Sequence, residues 1–233
     1  YYPANLARGN SLADALWAAS DHIPVLMEMK APAWCVASLG AYPARVMQGA
    51  AGVVVPVLVG NDAPGDFAVG IDPLSYSVAG SGVLSGSSSG TAPLTPSVAT
   101  VNVPVSTVTV GLRTGTATVT SSNEAVQNPV ISLPVSIRVL RRSNPSCSGS
   151  ADVNSGSVSL AATVGGPAVE ASASVWNNGF TADQATMDID SVSVPAGPFS
   201  VVSGTATGIG ASPAGLVFRF NPAGLAAGSY SAT

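Results

Sequence analysis

The sequence predicts an all-β protein built largely from two tandem β-sandwich modules. Three observations lead to this fold class. Charged residues make up only 9% of the chain, while 25 glycines and 18 prolines punctuate it, which suits strands joined by tight turns. Apolar and polar residues alternate over several stretches, as in strands with one buried face. Segments of the first half recur in the second half at a spacing of roughly 115 residues, about one sandwich module.

The repeat rests on three pairs of segments that occur in the same order along the chain. The pairs are 49–61 with 165–178, 71–78 with 189–194, and 111–118 (GLRTGTAT) with 224–231 (GLAAGSYS). We therefore place one module at 36–141 and a second at 147–233. The first module continues well beyond its Gly-Leu turn, whereas the second reaches only Thr233. We expect the second module to lack its final hairpin strand and to expose a sheet edge.

Individual strands can be recognised from the sequence pattern within each module. Thr116, Thr118 and Thr120 alternate with Ala117 and Val119, as in a half-buried strand. Residues 131–139 alternate in the same way, and the turn-rich stretch 123–129 between them has the length of a hairpin connection. In the second module, three apolar residues are predicted to face the core from one side of a strand: Leu216, Phe218 and Phe220.

Composition also limits the classes of partner. Acidic residues outnumber basic ones by 12 to 8, so no basic field is available to hold nucleic acid by its phosphates. The longest apolar run, 52–59, is too short for a membrane span and contains Pro56, so it predicts a buried strand. The first residues lack a signal peptide's basic and apolar regions, and we take the chain to begin within a longer protein. The composition is typical of exported bacterial modules, which predicts a secreted or cell-surface location.

The segment 111–139 resembles the closing hairpin of immunoglobulin-like repeats in large exported bacterial proteins, including modules of the choice-of-anchor type. The shared pattern is a Gly-Leu-x-x-Gly turn, a threonine-rich strand, a polar loop, and a strand containing Pro-Val. The resemblance implies that both modules are immunoglobulin-like sandwiches. It does not imply a ligand, because one sandwich fold hosts many functions.

Several residues outside the strands are candidates for chemistry. Cys35 and Cys147 lie about one repeat apart, too far for a disulfide between equivalent points of two modules. Neither has a second cysteine or histidine at metal-ligand spacing. Asp183, Asp188 and Asp190 form either a calcium site or a polar loop. A further cluster near the linker is interpreted as a solvated inter-module hinge rather than a phosphate site: Arg138, Arg141 and Arg142.

The N-terminal residues 1–32 differ from the modules. Asn10 or Ser11 can cap a short helix with apolar residues along one face. The segment Ser20-Asp21-His22-Ile23-Pro24-Val25 follows and leads into an alternating, strand-like run. An Asp-His pair between a helix and a strand is held in position and remains exposed. Asp21 and His22 are therefore either a pair with a chemical role, which would make them the candidate catalytic residues, or an ordinary polar turn before a strand.

This passage resembles the C-terminal end of the endonuclease/exonuclease/phosphatase superfamily, which finishes with a Ser-Asp-His-x-Pro-Val motif and the last strand of its core. The resemblance implies that residues 1–32 are a short helix-strand remnant of an α/β phosphoesterase domain. His22 would then act at the scissile phosphate as a general base or by stabilising charge. Asp21 would hold a divalent metal, Mg²⁺ or another, or the water near it. The family's remaining site residues are not found between Tyr1 and Ala19, so this fragment alone is expected to be inactive.

Together, the two resemblances imply that the parent protein is an exported, metal-dependent phosphodiesterase or nuclease-like protein. The modules would then be spacers or surface-binding elements. Its substrate is a phosphodiester, nucleic acid or another, which the sequence does not identify. One alternative is a non-enzymatic structural or adhesive surface protein. Another is carbohydrate binding by the modules, for which three aromatic residues are candidates: Trp176, Tyr76 and Tyr230.

Overall fold

The computed structural model describes residues 30–64 and 70–233, and over those residues the protein is all-β. The predicted fold class is confirmed at that level. The helix predicted near Ser11 and the strand-like run after Pro24 lie outside the described residues, except for Lys30. Within the described ranges, no helix has the length and apolar character needed to cross a membrane.

The first eight strands form two sheets, which we call the first sheet pair. Their bounds are β1 Cys35–Leu39, β2 Arg45–Met47, β3 Val54–Asn61, β4 Leu74–Gly82, β5 Ser87–Ala92, β6 Ala99–Pro104, β7 Gly111–Thr120 and β8 Val130–Leu140. One sheet has the order β1-β3-β6 and the other the order β2-β8-β7-β4-β5. The short β2 runs parallel to β8. The remaining neighbours are antiparallel, with β7 and β8 as the long central hairpin.

The two sheets share one core, and the predicted alternation of apolar and polar residues explains which side chains point into it. Ala117 and Val119 of β7 have no exposed surface, while the threonines between them point outward or lie at intermediate depth. On the opposing sheet Val55, Val57 and Val59 are also fully buried. This confirms the buried strand predicted at 52–59. Valine suits such positions because its branched side chain packs well on a pleated surface.

The remaining six strands form the second sheet pair. Their bounds are β9 Pro145–Ser146, β10 Val169–Asn177, β11 Met187–Ile189, β12 Phe199–Ser203, β13 Ala206–Ile209 and β14 Ala214–Phe220. One sheet has the order β12-β14-β10-β9, and the other contains only β11 and β13. Its core of buried residues is correspondingly small, with Met187, Ile209 and Ala214 at its centre. Leu216 is buried, but Phe218 and Phe220, also predicted core residues, are only half-buried.

Equivalent hydrogen bonds show how the two sheet pairs repeat each other. Near the start of the first pair, the Trp34 amide donates to the Asn61 side chain at 3.0 Å. In the second pair, the Asn144 amide donates to the Asn177 side chain at 2.9 Å. Asn61 ends β3 and Asn177 ends β10. The predicted match of 49–61 with 165–178 is thus reproduced at the hydrogen-bond level, with Asn177 as the counterpart of Asn61.

A second set of bonds corrects another predicted match. In the first pair, Ala31 forms a parallel bridge with Ile71, and in the second pair Arg141 forms one with Gln184. The bridge makes Ile71 the counterpart of Gln184. The sequence match had paired Ile71 with Ile189, which is wrong by five positions. The identical Ile-Asp pair was misleading because the loop before β11 is shorter than its counterpart before β4.

Candidate functional site

The residues that the sequence singles out for catalysis and metal binding, Asp21 and His22, lie outside the described residues. Within 30–64 and 70–233, no group of three or more His, Cys, Asp or Glu side chains is arranged to hold a metal ion. The described part of the chain therefore offers a different kind of candidate site. It is the polar junction between the two sheet pairs, which we call the joint.

Two arginines from the end of the first sheet pair build one side of the joint. Arg138 lies on β8 and forms an ion pair with Asp183 of the second pair. Arg141 follows β8, and its guanidinium donates to the Gly179 carbonyl at 2.5 Å and to the Gln184 side chain at 3.2 Å. The backbone of Arg141 adds two bonds, accepting from the Ala185 amide and donating to the Asp183 carbonyl, both at 2.9 Å. The solvated hinge predicted for the three arginines does not describe Arg138 and Arg141, whose guanidinium groups are bonded to the second sheet pair, while Arg142 is exposed.

The other side of the joint is a buried amide network. Asn177 is 3% exposed and Gln184 is 4% exposed. The Asn177 carbonyl oxygen accepts from Gln184 Nε2 at 2.8 Å and from the Asn144 amide. Its NH₂ group donates to the carbonyls of Ala185 at 2.9 Å and Ile209 at 3.2 Å. All four hydrogen-bonding positions of the Asn177 side chain are thus used, as a buried amide requires.

The calcium site considered for Asp183, Asp188 and Asp190 is not formed. Asp183 is committed to Arg138, and Asp188 accepts from the Gly208 amide at 2.6 Å. Asp190 is exposed beyond the end of β11. A calcium ion needs six or more oxygen ligands that converge on one point, and Asp183 and Asp188 serve separate partners.

The cysteines are separate thiols, as predicted. Cys35 is buried in the core of the first sheet pair, and Cys147 is exposed just after β9. Burial raises the pKa of the Cys35 thiol above its ordinary value of 9.0, because desolvation disfavours the thiolate. Cys35 is consequently a core side chain rather than a nucleophile.

We expect a thiol reagent to modify Cys147 rapidly and Cys35 only after unfolding. Under native conditions a chromogenic disulfide should release one equivalent per chain quickly, and Cys147→Ser should remove that fast phase. Because the folded pKa of Cys35 is raised, the neutral thiol stabilises the fold below about pH 9, and this stabilisation is lost as pH rises through the raised pKa. A fast phase that survives Cys147→Ser would contradict the burial of Cys35.

The aromatic candidates for carbohydrate binding are used in packing. A Cβ atom at Gly149 would lie 3.0 Å from the Trp176 ring, so the glycine makes room for the half-buried indole. Tyr76 is 7% exposed and belongs to the first core. Tyr230 is 41% exposed, but its ring lies against Phe220, with 5.9 Å between centroids. These three side chains do not form one stacking surface.

Comparison with known proteins adds little to this description. No family model matches the sequence, and no curated protein matches it. Among solved structures, the chain is similar to a protein of unknown function from Porphyromonas gingivalis W83 at 12% identity, over 83% of this chain and 81% of that one. The TM-score of that superposition is 0.29.

Sequence reasoning singled out the arginines of the joint but missed its buried amides. A signal was present, since an asparagine follows apolar residues at the end of a strand in both repeats, at Asn61 and Asn177. Both are buried and both bond the segment that enters their sheet pair. A polar residue repeated at the end of an apolar strand predicts a shared structural bond.

Proposed function

We propose that this chain is part of an exported, modular bacterial phosphodiesterase of the nuclease-like, metal-dependent type. Residues 1–32 are assigned to the end of its hydrolytic domain, because the complete Ser-Asp-His-x-Pro-Val motif occurs at Ser20–Val25. The two sheet pairs are assigned as immunoglobulin-like modules that act as spacers or surface-binding elements. The support for this second assignment is the internal repeat and its equivalent hydrogen bonds.

The proposed roles follow from the side chains of the motif. An imidazole can accept or donate a proton at a phosphate, which is the role proposed for His22. The carboxylate of Asp21 is the kind of oxygen ligand that Mg²⁺ prefers. Such an ion would supply charge stabilisation at the phosphate. Hydrolysis requires further groups that residues 30–64 and 70–233 do not bring together.

The observation that carries the spacer role is the joint. A flexible linker would let two modules move independently, whereas here Arg138 and Arg141 connect the modules by side-chain bonds, and Asn177 ties the linker to the second module. A buried, fully bonded amide resists rearrangement, because each broken bond leaves an unsatisfied polar group. The joint therefore supports a fixed distance and orientation between whatever the two ends carry.

The experiment is Mg²⁺-dependent hydrolysis of a chromogenic phosphodiester by the native gene product that contains this sequence. We expect His22→Ala to lower the rate on the order of a hundredfold or more, the usual contribution of a general acid or base. The matched control is Asn154→Ala, an exposed change far along the chain. Equal rates for the wild type and His22→Ala would remove the catalytic role of His22.

A second candidate function, a non-enzymatic surface scaffold, is favoured by the joint taken alone. The same assay separates the two proposals. A folded gene product that hydrolyses no phosphodiester with any of several divalent metals would leave the scaffold as the function. Loss of activity confined to His22→Ala would instead favour the enzyme.

A further inference from the structure

The turn that follows β10 contains an asparagine with glycine as its next residue, Asn178-Gly179, and this pair occurs once in the sequence. A backbone nitrogen can attack the side-chain amide of the asparagine before it, because the product is an unstrained five-membered ring. Glycine leaves its nitrogen unshielded, since it has no Cβ atom. Asn178 is therefore the asparagine of this chain that is most open to attack by its neighbour.

The turn leaves both reacting groups free. Among residues 30–64 and 70–233, the Gly179 amide donates no backbone hydrogen bond, and the side-chain bonds of this region end on Asn177 rather than on Asn178. Gly179 is exposed, has a φ of 65°, and would have no atom within 4 Å of an added Cβ. Water and base therefore reach the Gly179 nitrogen, and no side-chain bond in this part of the chain restrains the Asn178 amide.

The reaction that these groups can undergo is deamidation. The Gly179 nitrogen, after losing its proton, bonds to the Asn178 side-chain carbon Cγ, while the bond from Cγ to its NH₂ group breaks and ammonia leaves with the proton. Water then opens the cyclic imide at one of its two carbonyls. Opening at the Cγ carbonyl gives aspartate with a changed backbone path, called isoaspartate, when the bond to Gly179 is kept on Cγ, and ordinary aspartate when that bond is cleaved. The overall change consumes one water molecule and releases one ammonia molecule, with no oxidation or reduction.

The position of the turn links this reaction to the joint. On one side of the reactive bond, the Asn178 amide donates to the Asn144 carbonyl at 2.8 Å. On the other side, the Gly179 carbonyl accepts from the Arg141 guanidinium at 2.5 Å. The bond that changes thus lies between a residue anchored to the linker and a carbonyl that holds Arg141 in the joint.

Isoaspartate changes this geometry, whereas aspartate does not. In isoaspartate the backbone runs through the side chain of residue 178, which inserts one carbon and about 1.5 Å between its Cα atom and the Gly179 nitrogen. The Asn144 bond fixes the near side of the insertion, so Gly179 has to move. A shift of about 1.5 Å takes the contact from Arg141 to the Gly179 carbonyl beyond hydrogen-bonding distance. The bond from Arg141 to the Gln184 side chain does not involve this turn.

We propose that Asn178 is a deamidation site, and that its isoaspartyl form releases Arg141 from the Gly179 carbonyl. The joint then exists in an intact form and in an aged form that keeps only part of its bonds. The change runs in one direction, because ammonia is lost to solvent. The stiffness of the connection between the two sheet pairs consequently falls with the age of the molecule.

The first test measures where the chain deamidates. The full chain is incubated at neutral and at mildly alkaline pH, and peptide mapping by mass spectrometry follows each asparagine. We expect Asn178 to react roughly tenfold or more faster than the exposed Asn154, which precedes a serine, and to react faster at the higher pH. Asn178→Gln is the matched variant, since it keeps the amide but would have to close a six-membered ring, and it should remove the reaction. Equal rates at Asn178 and Asn154 overturn the proposal, and that comparison needs no variant to fold.

The second test measures the joint. Ion-exchange chromatography separates the aged chains by their added charge, and a protease that cleaves before aspartate but not before isoaspartate identifies the product. The Ala185 amide, which donates to the Arg141 carbonyl, should exchange its hydrogen about tenfold faster in the isoaspartyl form, as expected for loss of a hydrogen bond to a charged group. Asn178→Asp adds the charge without the extra backbone carbon and should exchange at the rate of the intact chain. Equal exchange in all three forms contradicts the release of Arg141, and fast exchange in Asn178→Asp overturns the role of the inserted carbon.

Discussion

Replacing Asn177 by alanine is expected to destabilise the second sheet pair by on the order of 3 kcal/mol. The change removes four hydrogen bonds at a position that is 3% exposed. The buried Ile209 carbonyl would lose its donor, and Gln184 Nε2 would lose its acceptor. An unsatisfied buried polar group costs about 1–3 kcal/mol. Chemical denaturation followed by the fluorescence of Trp176, on β10, measures the effect.

The matched control is Asn154→Ala, which changes an exposed asparagine in the same half of the chain. It should leave the denaturation midpoint within experimental error. The linker should also be held less firmly in Asn177→Ala, since the bond to Asn144 ties the linker to the second sheet pair. Spin labels on β5 and β12 would report a broader distance distribution. Equal stability of both variants would show that the amide network does not hold the joint.

Gly115→Ala is expected to destabilise the first sheet pair by on the order of 3 kcal/mol or to prevent its folding. The added Cβ atom would clash with backbone atoms, and the backbone can relieve that clash only by moving. Gly115 on β7 lies opposite Gly82 on β4. A Cβ atom at Gly115 would lie 2.4 Å from the Ser81 carbonyl oxygen and 3.0 Å from the Val83 amide nitrogen. Neither contact is with a flexible side chain.

Gly215→Ala is the control for this substitution. Gly215 also lies within a strand, β14, but its Cβ would meet no atom within 4 Å. Alanine there should be neutral or slightly stabilising, since it restricts the unfolded chain. Thermal unfolding of both variants tests the difference. A melting temperature for Gly115→Ala equal to that of Gly215→Ala would mean that β4 and β7 do not approach as described.

The strands of the first sheet pair could be predicted because their burial follows period two. The alternation of Ala117 and Val119 with threonines indicates one inner face, and that face is fully buried. The same reasoning overestimated the burial of Phe218 and Phe220. Alternation shows which side of a strand is apolar, but a sequence does not show whether an opposing sheet covers that side.

The joint could be predicted only in part, for a different physical reason. Three arginines near Pro145 indicated a solvated hinge, but the partners of Arg138 and Arg141 come from a loop some forty residues onward, between β10 and β11. Such pairing depends on tertiary geometry, which local patterns do not contain. The register error at Ile71 has a related origin. The match relied on a short identical motif, the Ile-Asp pair, and ignored the length of the loop that contains it. Loop length varies freely between repeats.

The joint also has a consequence for the order in which the chain acquires structure. The backbone of Arg141 bonds the segment before β11, and β9 pairs with the end of β10, so the linker after β8 is the first partner of the second sheet pair. Polypeptides fold from the N-terminus as they are synthesised. By the time β10 emerges, β8 is already fixed in the first core and presents the linker as a template. Folding should therefore be sequential, with the first sheet pair forming before the second and guiding its assembly.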